Sequence, residues 1–186
     1  MLEIELKVRV ENLRPVRERL QLLSAVHGTD TQEHDVYFNA PHRDFACTDE
    51  AIRIRYSQGR CTLTYKGPKL KKIAVKAREE LNTGVESGPV LEKILERLGF
   101  TRTADVRKRR EYYTLEGASV ALDQVEGLGS FVEIEVIAEE TGSSASDLIG
   151  RIAGDLGITG EPILLSYLEL LQSAQGRGGS PSSEDT

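Results

Sequence analysis

The chain has 186 residues, 24 Lys and Arg against 30 Asp and Glu, a formal net charge of -6 and a hydrophobic fraction of 39%. Those values predict one soluble globular domain with a sizeable core, and the acidic balance argues against a general nucleic-acid binder. No apolar run approaches the roughly 20 residues of a membrane span, and the acidic start lacks the apolar stretch of a signal peptide, so a cytoplasmic protein is expected.

The first ten residues, MLEIELKVRV, alternate. Leu2, Ile4, Leu6, Val8 and Val10 fall on one side, and Glu3, Glu5, Lys7 and Arg9 on the other. This is the period of a strand with one apolar face. NLRPVRERLQLLSAV follows, with Asn12 as a cap, Pro15 in the first turn and a helical stripe of Leu13, Val16, Leu20 and Leu23. HDVYFN reads as a strand and EAIRIRYSQGRCTLTYKGP as a hairpin turning near Ser57 to Arg60. KKIAVKAREEL reads as another strand. GPVLEKILERLGF reads as a helix with Pro89 near its start and Gly99 at its end. VRKRREYYTLEGASVALDQVEGLGSFVEIEVIA predicts three antiparallel strands, and SASDLIGRIAGDLGI and LLSYLELLQSA predict helices. The domain is expected over residues 1–174, with a disordered tail over 175–186 that is small, polar and aperiodic. Seven or eight strands with hairpin-like connections, broken by helices, predict an α+β domain built on an antiparallel sheet or barrel.

The remaining strands repeat the opening pattern. Asp35 shares a face with Tyr37, Arg53 with Arg55, Thr62 with Thr64 and Lys66, and Lys76 with Arg78 and Glu80. Lys108, Arg110 and Tyr112 share another face, as do Glu133 and Glu135, and Asp123 lies with Ala121. One such face is ordinarily a solvated one. Seven of them, ordered by sign, are not. Paired carboxylates mark the first and last strands and paired cations the middle ones, and nine Lys and Arg stand between Ala51 and Arg78 without an Asp or Glu. If the sheet closes with these faces inward, it makes a polar tunnel. Its cations suit phosphate oxygens, and its carboxylates suit Mg²⁺ or Mn²⁺ bridging to phosphate. His27, His34 and His42 have no zinc-like spacing, and His34 alternates away from the interior. Cys47 and Cys61 also lack metal-ligand spacing and are expected as free thiols. Arg107 and Arg109 alternate outward and read as surface residues.

EIELK, followed in order by RIR, YKGP, KAREE, RKRREYY, LDQVEGLG and FVEIE, resembles the CYTH superfamily of triphosphate tunnel metalloenzymes, which joins class IV adenylate cyclases and thiamine triphosphatases. The resemblance runs from Glu3 to about Leu171. It implies an eight-stranded antiparallel β tunnel flanked by helices. It also implies divalent-metal ligands at Glu3, Glu5, Glu133 and Glu135, with Asp123 assisting directly or through water. Triphosphate-holding cations are implied at Lys7, Arg53, Arg55, Lys66, Lys76, Arg78, Lys108 and Arg110. Glu80 is placed to orient cations or share in metal binding, and Tyr37 with Lys66 resembles a pair proposed to activate water, beside Lys7 as a catalytic cation. HDVYFNAP, VEGLGSFVEIEV and LSYLELL are similar to the class IV adenylate cyclase branch, which forms cyclic AMP and pyrophosphate from ATP. Inorganic or thiamine triphosphatase activity and a non-catalytic nucleotide- or polyphosphate-binding module are the alternatives. The implied partner is a nucleoside triphosphate or other triphosphate, with no membrane and no specific nucleic acid, in a monomer or homodimer.

Overall fold

The computed structural model describes residues 2–69, 76–138 and 143–176; within these, the side chains of Leu2, Lys76, Ala77, Ser143 and Gln175 lie outside the description. The expected strand residues 71–75 and the tail from 177 onward also fall outside it. In chain order the elements are β1 (Leu2–Val10), α1 (Arg14–Leu22), β2 (Val26–His27), β3 (Thr31–Asn39), α2 (Phe45–Thr48), β4 (Ala51–Ser57), β5 (Arg60–Lys66) and β6 (Lys76–Val85). They continue with α3 (Gly88–Arg97), β7 (Thr101–Leu115), β8 (Ala118–Val125), β9 (Gly129–Ala138), α4 (Ser143–Asp155) and α5 (Tyr167–Gly176). No helix among the described residues is long and apolar enough to cross a membrane.

The strands run in the order β7-β3-β4-β5-β6-β1-β9-β8, and β8 pairs back onto β7, so the eight close into an antiparallel barrel. The two-residue β2 adds to the far part of β7, where Val26 faces Thr114. Strand β7 is long because it serves three partners: β3 along residues 101–110, β8 along 108–115, and β2. The hairpin between β4 and β5 turns at Gln58 (φ 50°) and Gly59 (φ 72°), as expected near Ser57 to Arg60. Two consecutive left-handed residues match the twist of the strands they join. Glu116 (φ 51°) and Gly117 (φ 84°) do the same between β7 and β8.

The barrel is the reverse of an oil drop. Its apolar faces point outward and are covered by helices, and its charged faces point in. Ile4, Leu122, Val132 and Ile134 pack outside the barrel under Val16 and Leu20 of α1 and Ile149, Ile152 and Leu156 of α4. Val36, Phe38 and Ile54 pack under Leu91 and Leu95 of α3. Burial of these faces is what holds the strands closed. Asn12 was expected to cap α1; Leu13 is the cap residue instead, and Asn12 Oδ1 accepts the Arg14 N–H at 2.9 Å one step earlier in the turn. Helix α5 is carried to one end of the barrel by a segment that runs along β1, where the Ile163 N–H donates to the Lys7 carbonyl at 2.8 Å. There it packs on Val106, Val125, Leu128 and Phe131.

Candidate active site

Alternation on eight closed strands gathers the inward side chains around a cavity of about 470 Å³. Glu3, Glu5, Lys7, Arg53, Arg55, Lys66, Arg78, Glu80, Lys108, Arg110, Glu133 and Glu135 all line it, with Tyr37 and Tyr112. Most of the residues proposed for the site from the sequence therefore meet in one space. Asp123 does not border it: fully buried, it sits behind the wall, where its carboxylate accepts both Arg110 nitrogens and the Tyr167 hydroxyl at 2.7 Å. The side chain of Lys76 lies outside the described residues. Arg107 and Arg109 are exposed on the outer face, and His34 points outward onto Asp105 at 2.5 Å, both as expected.

On β3, β4, β7 and β8 the interior charges neutralise one another. Arg55 takes Asp35 with two bonds of 2.6 and 2.7 Å and also meets Glu33 at 2.9 Å. Lys108 bridges Glu33 at 3.3 Å and Asp123 at 3.8 Å. Arg110 joins Asp123 to Glu133. Although burial pushes Glu33 up, Lys108, Arg55 and Arg110 outweigh it and bring its carboxyl down to about 2. Asp35 is likewise held well below the usual carboxylate range, burial being overcome by Arg53 and Arg55. Lys108 is pulled below its usual value by burial and by Arg110, against the opposing Asp123.

On β1 and β9 acids crowd acids. Glu5 pairs across β1 and β9 with Glu135, and Lys7 with Glu133. Lys7 Nζ stands 3.1 Å from both Glu5 and Glu133, and Lys66 pairs with Glu80. Burial raises Glu3 to about 8; Lys66 opposes the rise, and Glu135, Glu80 and Glu5 reinforce it. Glu135 is raised too, by burial first and by Glu5 and Glu133, with Arg110 opposing. A carboxylate pushed up by burial and like neighbours stabilises a cation placed among them. Among the described residues no three acidic, His or Cys side chains already stand at coordination spacing. The donor set is nonetheless carboxylate oxygen throughout, which fits a hard divalent ion such as Mg²⁺ or Mn²⁺ and not zinc.

Two cations face the cavity with bonding capacity to spare. Arg53 Nε and Arg78 Nε are buried without a hydrogen-bond partner among the described residues. Arg53 donates to Thr64 Oγ1 at 3.1 Å, and Arg78 to the Asp49 carbonyl at 2.9 Å. Burial and Asp35 push the Tyr37 phenol up to about 12, with Arg53 and Arg55 opposing. Tyr37 thus keeps its proton at neutral pH, so in the expected pair with Lys66 it can donate a hydrogen bond but is a poor base.

Three contributors were not read from the sequence. Glu33 lies two residues before Asp35 on the same face and was legible by alternation, had the strand been extended to Thr31. Asp49 ends α2 in a left-handed conformation at φ 55°. Tyr167 inserts from α5, its ring 4.3 Å from Lys7 Nζ and 5.1 Å from Lys108 Nζ.

The CYTH domain model matches residues 1–151. The chain belongs to the CYTH domain family. It is 38% identical over 173 residues to a Methanocaldococcus jannaschii protein named as a candidate adenylate cyclase, covering 91% of this chain and 98% of that one. It is 27% identical over 141 residues to the adenylate cyclase CyaB of Aeromonas hydrophila, covering 74% and 70%. Among solved structures it is similar to a Pyrococcus horikoshii protein, with a TM-score of 0.81, 34% identity and coverage of 92% and 99%. A Hippeastrum adenylyl cyclase candidate, described as having a dominant triphosphatase activity, shares the fold at a TM-score of 0.68 and 21% identity, covering 93% and 95%. Membership in a family of triphosphate tunnel metalloenzymes implies triphosphate substrates and a divalent metal for this CYTH protein.

Proposed function

We propose that this CYTH protein is a divalent-metal-dependent enzyme that converts ATP to cyclic AMP and pyrophosphate. The observation that carries the reading is the composition of the cavity. The cavity that holds its charged interior is also lined by Phe45, Ala46, Ala51 and Leu168. A triphosphate uses the cations; only a substrate with an organic part uses the apolar lining. The 38% identity with a protein named for adenylate cyclase activity supports the same choice.

In this reading Arg53 and Arg78 take phosphate oxygens with their uncommitted nitrogens, and Lys66 adds a further positive charge. Lys7, Arg55, Lys108 and Arg110 hold the wall rigid and carry the positive potential, since each is already fixed by carboxylates. Glu3, Glu5, Glu133 and Glu135 would hold the divalent cation, which supplies charge neutralisation at the phosphates and positions them. The ribose 3′-hydroxyl oxygen attacks the α-phosphorus as the bond to the pyrophosphate oxygen breaks, and the hydroxyl proton passes to water. Positioning and fixed charge supply most of the catalysis in such displacements. The same wall also suits attack by water on a terminal phosphate, and the Hippeastrum protein joins this fold to a dominant triphosphatase activity. The deciding test is incubation with ATP, thiamine triphosphate and inorganic triphosphate, each with Mg²⁺ or Mn²⁺, and chromatography of the products. Cyclic AMP and pyrophosphate from ATP are the expected products. Orthophosphate without cyclic AMP would make the enzyme a triphosphatase, and no product with tight binding would make it a binding module.

A further inference from the structure

The mouth of the cavity is built by two elements that are not part of the charged barrel wall. Helix α2 and its flanks contribute Phe45, Ala46 and Asp49, and α5 contributes Leu168, Glu169 and Gln172. Helix α5 lies beyond residues 1–151, which the family model matches.

The two sides are tied together. Ser166 and Glu169 form a reciprocal cap at the start of α5: the Ser166 N–H donates to Glu169 Oε2 at 2.6 Å, and the Glu169 N–H donates to Ser166 Oγ at 3.2 Å. The second Glu169 oxygen accepts Lys69 Nζ at 2.7 Å. Lys69 Nζ also stands 3.1 Å from Asp49 Oδ1, and its backbone N–H donates to Asp49 Oδ2 at 2.8 Å. Asp49 in turn holds Arg78 of the phosphate wall. Tyr167 anchors the end of α5 in the barrel by its bond to Asp123. A continuous chain of contacts thus runs from α5 through Lys69 to α2 and on to Arg78.

The charges at the mouth also give a bound substrate a direction. Asp49 and Glu169 beside α2 and α5 are paired with Lys69, and Glu50 with Arg43, whereas Arg53, Arg55, Lys108 and Arg110 bring cations to the barrel wall of the same cavity. A triphosphate is drawn to the cations of the barrel wall, which leaves the organic end between α2 and α5. What it meets there is apolar surface from Phe45, Ala46 and Leu168, and the exposed amide of Gln172, which has no hydrogen-bond partner among the described residues. Flat apolar surface with one amide able both to donate and to accept suits a nucleobase.

We infer that α2 and α5 form a jaw for the nucleoside half of the substrate, held shut by the Glu169–Lys69–Asp49 tie. The inference rests on the proposed reaction of a nucleoside triphosphate but concerns binding, so it is tested by affinity without turnover. Titration calorimetry with Mg²⁺ compares α,β-methylene-ATP with inorganic triphosphate on the full chain and on Leu168→Ala, Gln172→Ala and Lys69→Met. Each variant is expected to bind the nucleotide analogue about 5- to 20-fold more weakly, the scale of one lost apolar or polar contact. Leu168→Ala and Gln172→Ala should bind inorganic triphosphate within about twofold of the parent, and Lys69→Met should lose more affinity for the nucleotide analogue than for inorganic triphosphate. Equal losses for both ligands would make these residues phosphate or folding elements and overturn the jaw; so would no loss for either. Equal affinity of the parent protein for the two ligands would overturn the jaw and leave the triphosphate site standing. Failure of the parent to bind either would remove the proposed function as well. If Lys69→Met does not fold, the two α5 variants decide the outcome.

Discussion

The two halves of the tunnel wall use the same residue types to opposite ends. On β3, β4, β7 and β8, Glu33, Asp35 and Asp123 are each met by one or more cations, and Glu33 is brought down to about 2. On β1 and β9, Glu3, Glu5 and Glu135 crowd one another, and Glu3 is raised to about 8. The difference is one of stoichiometry and not of burial, since both sets lie inside the barrel. A carboxylate saturated by guanidinium groups is scaffold. A carboxylate surrounded by carboxylates is a receptor for a positive charge that the protein itself does not provide in full.

The comparison can be broken most forcefully at Asp123. Asp123→Ala leaves Arg110 buried without its two-bond partner and Tyr167 without its acceptor, and should cost ~3–5 kcal/mol of stability in urea or thermal unfolding. A loss below 1 kcal/mol would mean that the β7–β8 side is not held by this pairing. Glu33→Gln comes next. Glu33 falls from 4.5 to about 2 on folding, so its pairing stabilises the protein on the order of 3 kcal/mol above pH 4.5. A depressed carboxyl loses that contribution as pH falls toward 2. The stability gap between wild type and Glu33→Gln should therefore be full at pH 6 and close between pH 4.5 and 2; a gap that is constant across that range would contradict the electrostatic account. Arg78→Gln removes a cavity cation whose Nε lacks a partner among the described residues and should weaken triphosphate binding about 10- to 100-fold, the equivalent of ~1.5–3 kcal/mol for a charged hydrogen bond. The smallest effect on stability belongs to the crowded side. Glu3→Gln should leave stability at neutral pH within about 0.5 kcal/mol, because the carboxyl it replaces is already unfavourable as an anion there.

Much of this contrast can be read from alternation alone. Glu3 and Glu5, Arg53 and Arg55, Lys108 and Arg110, and Glu133 and Glu135 each share a strand face, and a strand face is a local property. The outward course of Arg107, Arg109 and His34 followed from the same rule. What alternation does not give is the partner across the sheet. Asp35 meets Arg55 because β3 pairs with β4, and Glu33 meets Lys108 because β3 pairs with β7 across more than seventy residues of chain. Thus Arg55, Lys108 and Arg110 looked equivalent to Arg53 and Arg78 as phosphate ligands, whereas each of the first three is held by two acids and the other two keep an Nε without a partner among the described residues. Likewise Asp123 shares the inward face of β8, but Arg110 and Tyr167 cover it. Helix α2 and strand β2 are too short for a periodic signal. The insertion of Tyr167 depends on where α5 docks, which its own sequence leaves open.

The most direct test of the central claim is Mn²⁺ binding, followed by the loss of free-ion paramagnetic resonance signal in the presence of inorganic triphosphate. Wild type and Glu33→Gln should bind the ion alike, and a Glu3→Gln, Glu135→Gln double variant that remains folded should lose it by more than about tenfold in affinity. Equal Mn²⁺ binding by the double variant and wild type, or no binding by wild type, would contradict the assignment of the crowded carboxylates as the receptor for the cation.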